Sequence, residues 1–224
     1  MPSYSGIFTL QTQMQAIAAG TWTGLPLVIG QAYQGGYYAG QIGVSGVATH
    51  NLVVGPVSSA QSTLKWKNAL TATTGSDSVI DGPQNTADMV ADGNSTVYPC
   101  AHFCNDLSTG GQTDWYMPAK NELEICYYNL KPTTTVNSGL GLSSGINANA
   151  VPARTGNYTS GTPAQTSSAD FKNTGAEDFT DDQYWSSTEY STYRAWRQSF
   201  SYGGQYYFYK TTSHIVRAIR RVPV

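Results

Sequence analysis

Apolar residues first appear at helical spacing. Leu10, Met14, Ile17 and Ala18 fall on one face of a segment from Phe8 to Ala19, with glutamines opposite and Gly20 as its stop. From Leu25 to Val57 the pattern shortens into the runs Leu27-Val28-Ile29, Tyr37-Tyr38-Ala39, Gln41 to Val44 and Leu52-Val53-Val54, separated by glycines. Such runs predict strands, with turns and bulges at the glycines. Leu64 to Lys67 predicts one more strand, with Trp66 inward.

Helical spacing returns in the middle of the chain. Asn85 or Thr86 is placed to cap a short helix through Val90. A second helix is expected from Pro99 to about Leu107, burying Cys100, Phe103, Cys104 and Leu107. A third, Pro118 to Leu130, buries Leu123, Cys126, Tyr127 and Leu130. From Lys131 to about Ser168, Thr, Ser, Gly, Asn and Pro leave little periodicity, which predicts a long loop, either a lid or decoration.

The C-terminal stretch alternates. Trp196 and Phe200 share one set of positions, and Ala195, Arg197 and Ser199 the other, which predicts a strand with Trp196 and Phe200 on its buried face. Gly203-Gly204 predicts a hairpin turn, Tyr206 to Lys210 a second strand, and Ile215 to Val222 a third, together a meander.

Composition sharpens this last region. Seven of the sixteen tyrosines lie between Tyr184 and Tyr209, among Ser, Thr, Arg and Gly rather than Leu, Ile or Val. Tyr offers wide amphipathic contact area with few torsions to freeze, and Ser and Gly adapt around it, so the stretch reads as a recognition surface. The competing reading is of plain strand formers on a half-exposed sheet. The expected ligand-binding residues are Tyr190, Tyr193, Arg197, Ser199, Tyr202, Tyr206, Tyr207 and Tyr209.

Only 12% of the 224 residues are charged and the net charge is −2, so bulk charge does not favour nucleic acid. Half of the twelve Lys and Arg residues lie at or after Arg194, which would suit an anionic partner or serve only as edge-strand charges. The first twenty residues contain no Lys or Arg, and Gln11, Gln13 and Gln15 interrupt any apolar core, so no secretory signal is expected. No run reaches the ~20 apolar residues of a membrane span, so no membrane insertion is expected.

Three cysteines do not make a disulfide framework, and Cys100, Cys104 and Cys126 read as buried thiols. A metal site of Cys100, His102 and Cys104 is disfavoured because His102 points off the face the cysteines share.

Three segments in order carry a family resemblance: Asp114-Trp115-Tyr116-Met117-Pro118 with Glu122-Leu123, then Tyr184-Trp185-Ser186-Ser187-Thr188, then Val216-Arg217-Ala218-Ile219-Arg220. They resemble the C-type-lectin-like domain at the C-terminus of phage tail proteins and some bacterial surface lectins. Gly6 to Leu10 and Ala19 to Trp22 resemble the segment preceding that domain.

The resemblance implies an α+β, C-type-lectin-like fold: helices on a twisted, mainly antiparallel sheet with long irregular loops. It implies residues 1–24 as a helical lead-in and 25–224 as a receptor-binding domain, with the motifs in about 95–224. It further implies a virion component, a homotrimer beside other tail proteins, whose partner is a host-surface protein or glycan. Trp115 and Trp185 would be buried anchors, Glu122 would pair with Arg217 or Arg220, and Ser186-Ser187 would form a turn.

A second resemblance is to variable proteins of diversity-generating retroelements. Tyr190, Tyr193, Arg197, Ser199, Tyr202, Tyr206, Tyr207, Phe208, Tyr209 and His214 all fit codons altered only at adenines.

The expected function is non-enzymatic. A glycan depolymerase would need two carboxylates ~5 to 10 Å apart, and the candidates Glu177, Asp178, Asp181, Asp182 and Glu189 read as solvated loop acids. A formylglycine-generating oxidase needs reactive cysteines, and these three sit in apolar contexts. No cofactor is expected; calcium held by the acids between Asp170 and Asp182 is the remaining alternative.

Overall fold

The computed structural model describes residues 26–138 and 144–224. The helix expected over Phe8 to Ala19 lies outside the described residues, as do positions 1–24.

The glycine-broken opening forms β1 (Ala32–Tyr33), β2 (Gly36–Val44) and β3 (Val47–Val54). Two runs that look separate in sequence, Tyr37 to Ala39 and Gln41 to Val44, are one strand. Register shifts beside Gly40 and Gly43 absorb the glycines as bulges without ending the pairing with β3. Leu27 to Ile29 makes no strand and leads into a turn at Gly30.

A short helix α1 (Val57–Ala60) leads into β4 (Gln61–Lys65), after which Trp66 turns fully inward. The three expected helices are α2 (Gly82–Asp92), α3 (Pro99–Asn105) and α4 (Lys120–Leu130). The cap of α2 is Asp81, whose carboxylate accepts the Gln84 amide. Asn85 and Thr86 lie inside that helix and are buried; Asn85 bonds Ser78 and Ser187. In α3, Cys100 and Cys104 are buried and Phe103 is half-buried; the helix ends at Asn105, so the expected Leu107 lies beyond it, half-buried. The expected stripe of α4 is buried throughout.

The rest of the chain adds β5 (Ala150–Val151), β6 (Gln183–Ser191), β7 (Arg194–Ser199), β8 (Gln205–Tyr209), β9 (Ser213–Arg217) and β10 (Ile219–Pro223). One sheet runs β1-β2-β3-β10, with β5 on β2; the other runs β4-β9-β6-β7-β8. The architecture is α+β and mainly antiparallel, the pairing of β6 with β9 being parallel.

This corrects the meander. β8 ends the second sheet, and β9 pairs with β4 and β6 instead of β8. Ile215 to Val222 is also two strands in different sheets. At Ala218 the N–H donates to the Ala60 carbonyl and the C=O accepts from Gly55, so the chain steps across.

Helix α4 packs on β2 and β5 of one sheet and on β6 and β7 of the other. Its apolar side chains join Ile42, Leu52, Phe171, Phe179, Tyr184 and Phe200 in one core. Trp66, Trp115 and Trp185 belong to a second core beneath α2 and α3. Polar residues of α4 are buried as well, and Glu122 accepts from Gly82, Ala119 and Tyr116 while pairing with Arg221 at 2.7 Å.

The expected partners of Glu122 are therefore corrected. Arg217 pairs with Glu177 at 2.9 Å, and Arg220 forks onto both oxygens of Asp114. Ser186 and Ser187 lie within β6 and make no turn: the Ser186 carbonyl accepts from the Trp66 indole and the Ser187 amide donates to the Pro118 carbonyl.

Candidate functional site

The hairpin β7–β8 carries the tyrosine-rich surface. Its turn closes where the Ser199 amide donates to Gly204 and the Gly203 amide to Ser199, each at 2.9 Å. Gly203 has φ +83°, and a Cβ there would stand 2.5 Å from the Tyr127 ring, so both backbone shape and space require glycine. Counting outward from this turn, Trp196 faces Tyr207 and Arg194 faces Tyr209 across the strands.

On one face of the hairpin these pairs build a layer of alternating rings and cations. Tyr190 of β6 stacks on Tyr207 with centroids 3.8 Å apart and planes 9° apart, and Trp196 meets Tyr190 edge-on at 5.3 Å. The Arg194 guanidinium lies 5.1 Å from both the Tyr207 and the Tyr209 ring. At the other end the Lys120 ammonium stands 4.8 Å over Trp196. Burial draws the Lys120 amine below its ordinary range, against the smaller opposite pull of the neighbouring Glu124. The hydrogen bond and field of Tyr207 raise the Tyr190 phenol.

The opposite face is smaller. Arg197 lies 4.6 Å over Phe208, Phe208 meets His214 at 5.6 Å, and His214 packs edge-on against buried Trp185 at 4.7 Å. Burial first, and Arg197 second, push the His214 ring down to about 4. Tyr206 stands opposite Arg197 in register, and its ring and that of Tyr202 crowd Gly204.

The expected residues thus divide between two faces. Tyr190 (44% exposed), Tyr207 and Tyr209 (45%) share the first, Arg197, Tyr202 and Tyr206 belong to the second, and Tyr193 (55%) projects at the β6–β7 turn. Ser199, expected on the display surface, is fully buried: Gln198, Ser199 and Phe200 are all interior where β7 dives under α4. Trp196, expected inward, is half-buried in the ring layer.

Arg194, Trp196 and Lys120 were not expected in this layer. The signal for the first two was available, because the Gly203-Gly204 turn fixes the cross-strand pairs.

Behind the layer a buried charge network clamps the hairpin. Lys210 pairs with Glu189 at 2.9 Å, donates to the Thr71 carbonyl and lies 4.7 Å over Trp66. Glu189 also accepts the Thr73 amide, and Lys67 reaches Asp92 and Thr73 alongside. Glu189 and Glu177 are consequently ion-paired, not solvated loop acids. The long loop abuts the turn end, the Ser138 amide donating to the Tyr202 carbonyl and Ser144 Oγ accepting the Gln205 amide.

The three thiols are buried and unpaired, and burial pushes all of them upward. His102 bonds the Gly93 carbonyl. Among the described residues no three His, Cys, Asp or Glu side chains gather as metal ligands, and no helix is long and apolar enough to cross a membrane.

The site is a sheet-borne, aromatic and cationic surface on an α+β scaffold. The family model of the Lcl C-terminal domain matches residues 55–220, and the chain belongs to that family. Membership points to a ligand-binding role of the tail-fibre or adhesin kind. A comparison with curated protein sequences finds no match.

Proposed function

We propose that the chain is a non-enzymatic receptor-binding protein of C-type-lectin-like fold, carried by a phage tail as a homotrimer beside other tail proteins. It grips a host-surface protein or glycan through the tyrosine-rich hairpin. The observation that carries this reading is the layer of Tyr190, Trp196, Tyr207, Arg194 and Tyr209 on the second sheet, half-buried at its centre and exposed at Tyr190 and Tyr209. Exposed aromatic clusters of this kind mark interaction sites, and amphipathic rings fixed in advance lose little entropy on binding. No catalytic group is assigned; of the candidate acids, Glu177 and Glu189 are tied to Arg217 and Lys210.

The surface residues also suit diversification by a retroelement. Of the positions that fit adenine-altered codons, Tyr190, Tyr193, Phe208 and Tyr209 are exposed. The gene tests this directly, since the reading requires a near-identical, adenine-rich template repeat close by. Binding is tested by adsorption of the purified chain to host cells, alongside cells stripped of surface polysaccharide and cells treated with protease. Loss after one treatment alone identifies the receptor class, and no adsorption to any host cell defeats the reading.

A further inference from the structure

We propose that β8 is a docking edge for an extended acidic polypeptide segment of the receptor, which adds to the second sheet as a further strand. This rests on the recognition role of the same hairpin and names its partner class.

Among the described residues the strand order gives β8 a single neighbour, β7. The Lys210 amide donates to the Tyr193 carbonyl and the Ser199 amide to the Gly204 carbonyl. By the alternation of an antiparallel ladder, Tyr206 and Phe208 pair inward, and the N–H and C=O of Tyr207 turn outward. Ser144 takes the outward amide of Gln205, and the Thr212 amide bonds the Tyr209 carbonyl, so the open stretch centres on Tyr207.

Charge then selects the occupant. Arg154, Arg217, Arg220 and Arg221 each pair with a carboxylate, whereas Arg194 and Arg197 pair with none among the described residues. Both guanidiniums lie over β8: Arg194 above Tyr207 and Tyr209 on one face, Arg197 above Phe208 on the other. An added strand sends successive side chains to opposite faces, so acidic residues of opposite parity meet one arginine each. A second copy of this chain would bring like charges to the same edge.

The test is to pan a random linear heptapeptide library against the intact chain and titrate the enriched peptides. The expected result is enrichment of peptides with Asp or Glu at positions of opposite parity. Their binding should weaken about tenfold or more in R194Q and in R197Q, and disappear when the central peptide amide is N-methylated. Enrichment without acidic bias, or undiminished binding of the N-methylated peptide, overturns strand docking. The absence of any enriched peptide overturns it too, whether or not dextran sulfate binds through the same arginines. A chain that needs Tyr190 and Tyr207 for host adsorption yet selects no acidic peptide keeps its recognition role and loses strand docking alone.

Discussion

Tyr207 sits at the centre of the ring layer, stacked on Tyr190, edge-on to Trp196 and covered by Arg194. A central, well-packed aromatic is where binding energy concentrates, so Tyr207→Ala is expected to cost about 2 kcal/mol or more in binding. Titration with receptor-bearing membranes checks this, and an unchanged affinity would count against the site.

His214 offers a pH test on the other face, where Arg197 and Asp182 act on it with opposite signs. Its folded pKa lies near 4, and an unfolded histidine titrates near 6.5. Between those values the unfolded chain binds more protons, so this contribution to stability is lost as pH falls from about 6.5 to 4 and levels off below. Thermal melts of wild type and His214→Phe should show a shallower acid slope for the variant, and identical slopes would contradict it. Composition marked the tyrosine-rich stretch but not the depth of each ring: Tyr190, Tyr193 and Tyr209 are exposed, Tyr202, Tyr206 and Tyr207 half-buried, and Tyr184 is buried. The burial of Ser199 was not legible either, because alternation fails where β7 runs into the core.

Among the elements, the β7–β8 hairpin depends on its turn and on its clamp. Gly203→Ala forces an L-residue into left-handed backbone, which costs about 1–2 kcal/mol before the collision with Tyr127 is counted. Chemical denaturation should show at least that loss. In the Glu189–Lys210 pair Lys210 is fully buried and the Glu189 carboxylate largely so, and removing the lysine strands that carboxylate, so Lys210→Met is expected to destabilise by about 3 kcal/mol. A Lys210→Met chain as stable as wild type in the same denaturation series would show that the pair is not a clamp.

The hairpin and helices α3 and α4 could be read from periodicity and from Gly203-Gly204. The break at Ala218 could not, since apolar alternation continues through it and the step between sheets is set by the backbones of Gly55 and Ala60. The charge pairs were hidden for the same reason. Lys210, Glu189, Glu177 and Arg217 are distant in sequence and meet only once both sheets are in place.

Taken as a whole, the molecule is a scaffold with its binding surface at one edge. Helix α4 fills the space between two sheets, three tryptophans anchor the second core, and the network around Lys210 and Lys67 ties the hairpin to residues 67–76. Rigidity behind the rings matters because surfaces ordered beforehand lose less entropy on binding. The most direct measurement is host-cell adsorption by the purified wild type and by a Tyr190→Ser, Tyr207→Ser double variant, with thermal melts of both. The account predicts equal cooperative unfolding and abolished adsorption in the variant; full adsorption by a normally folded variant would contradict it.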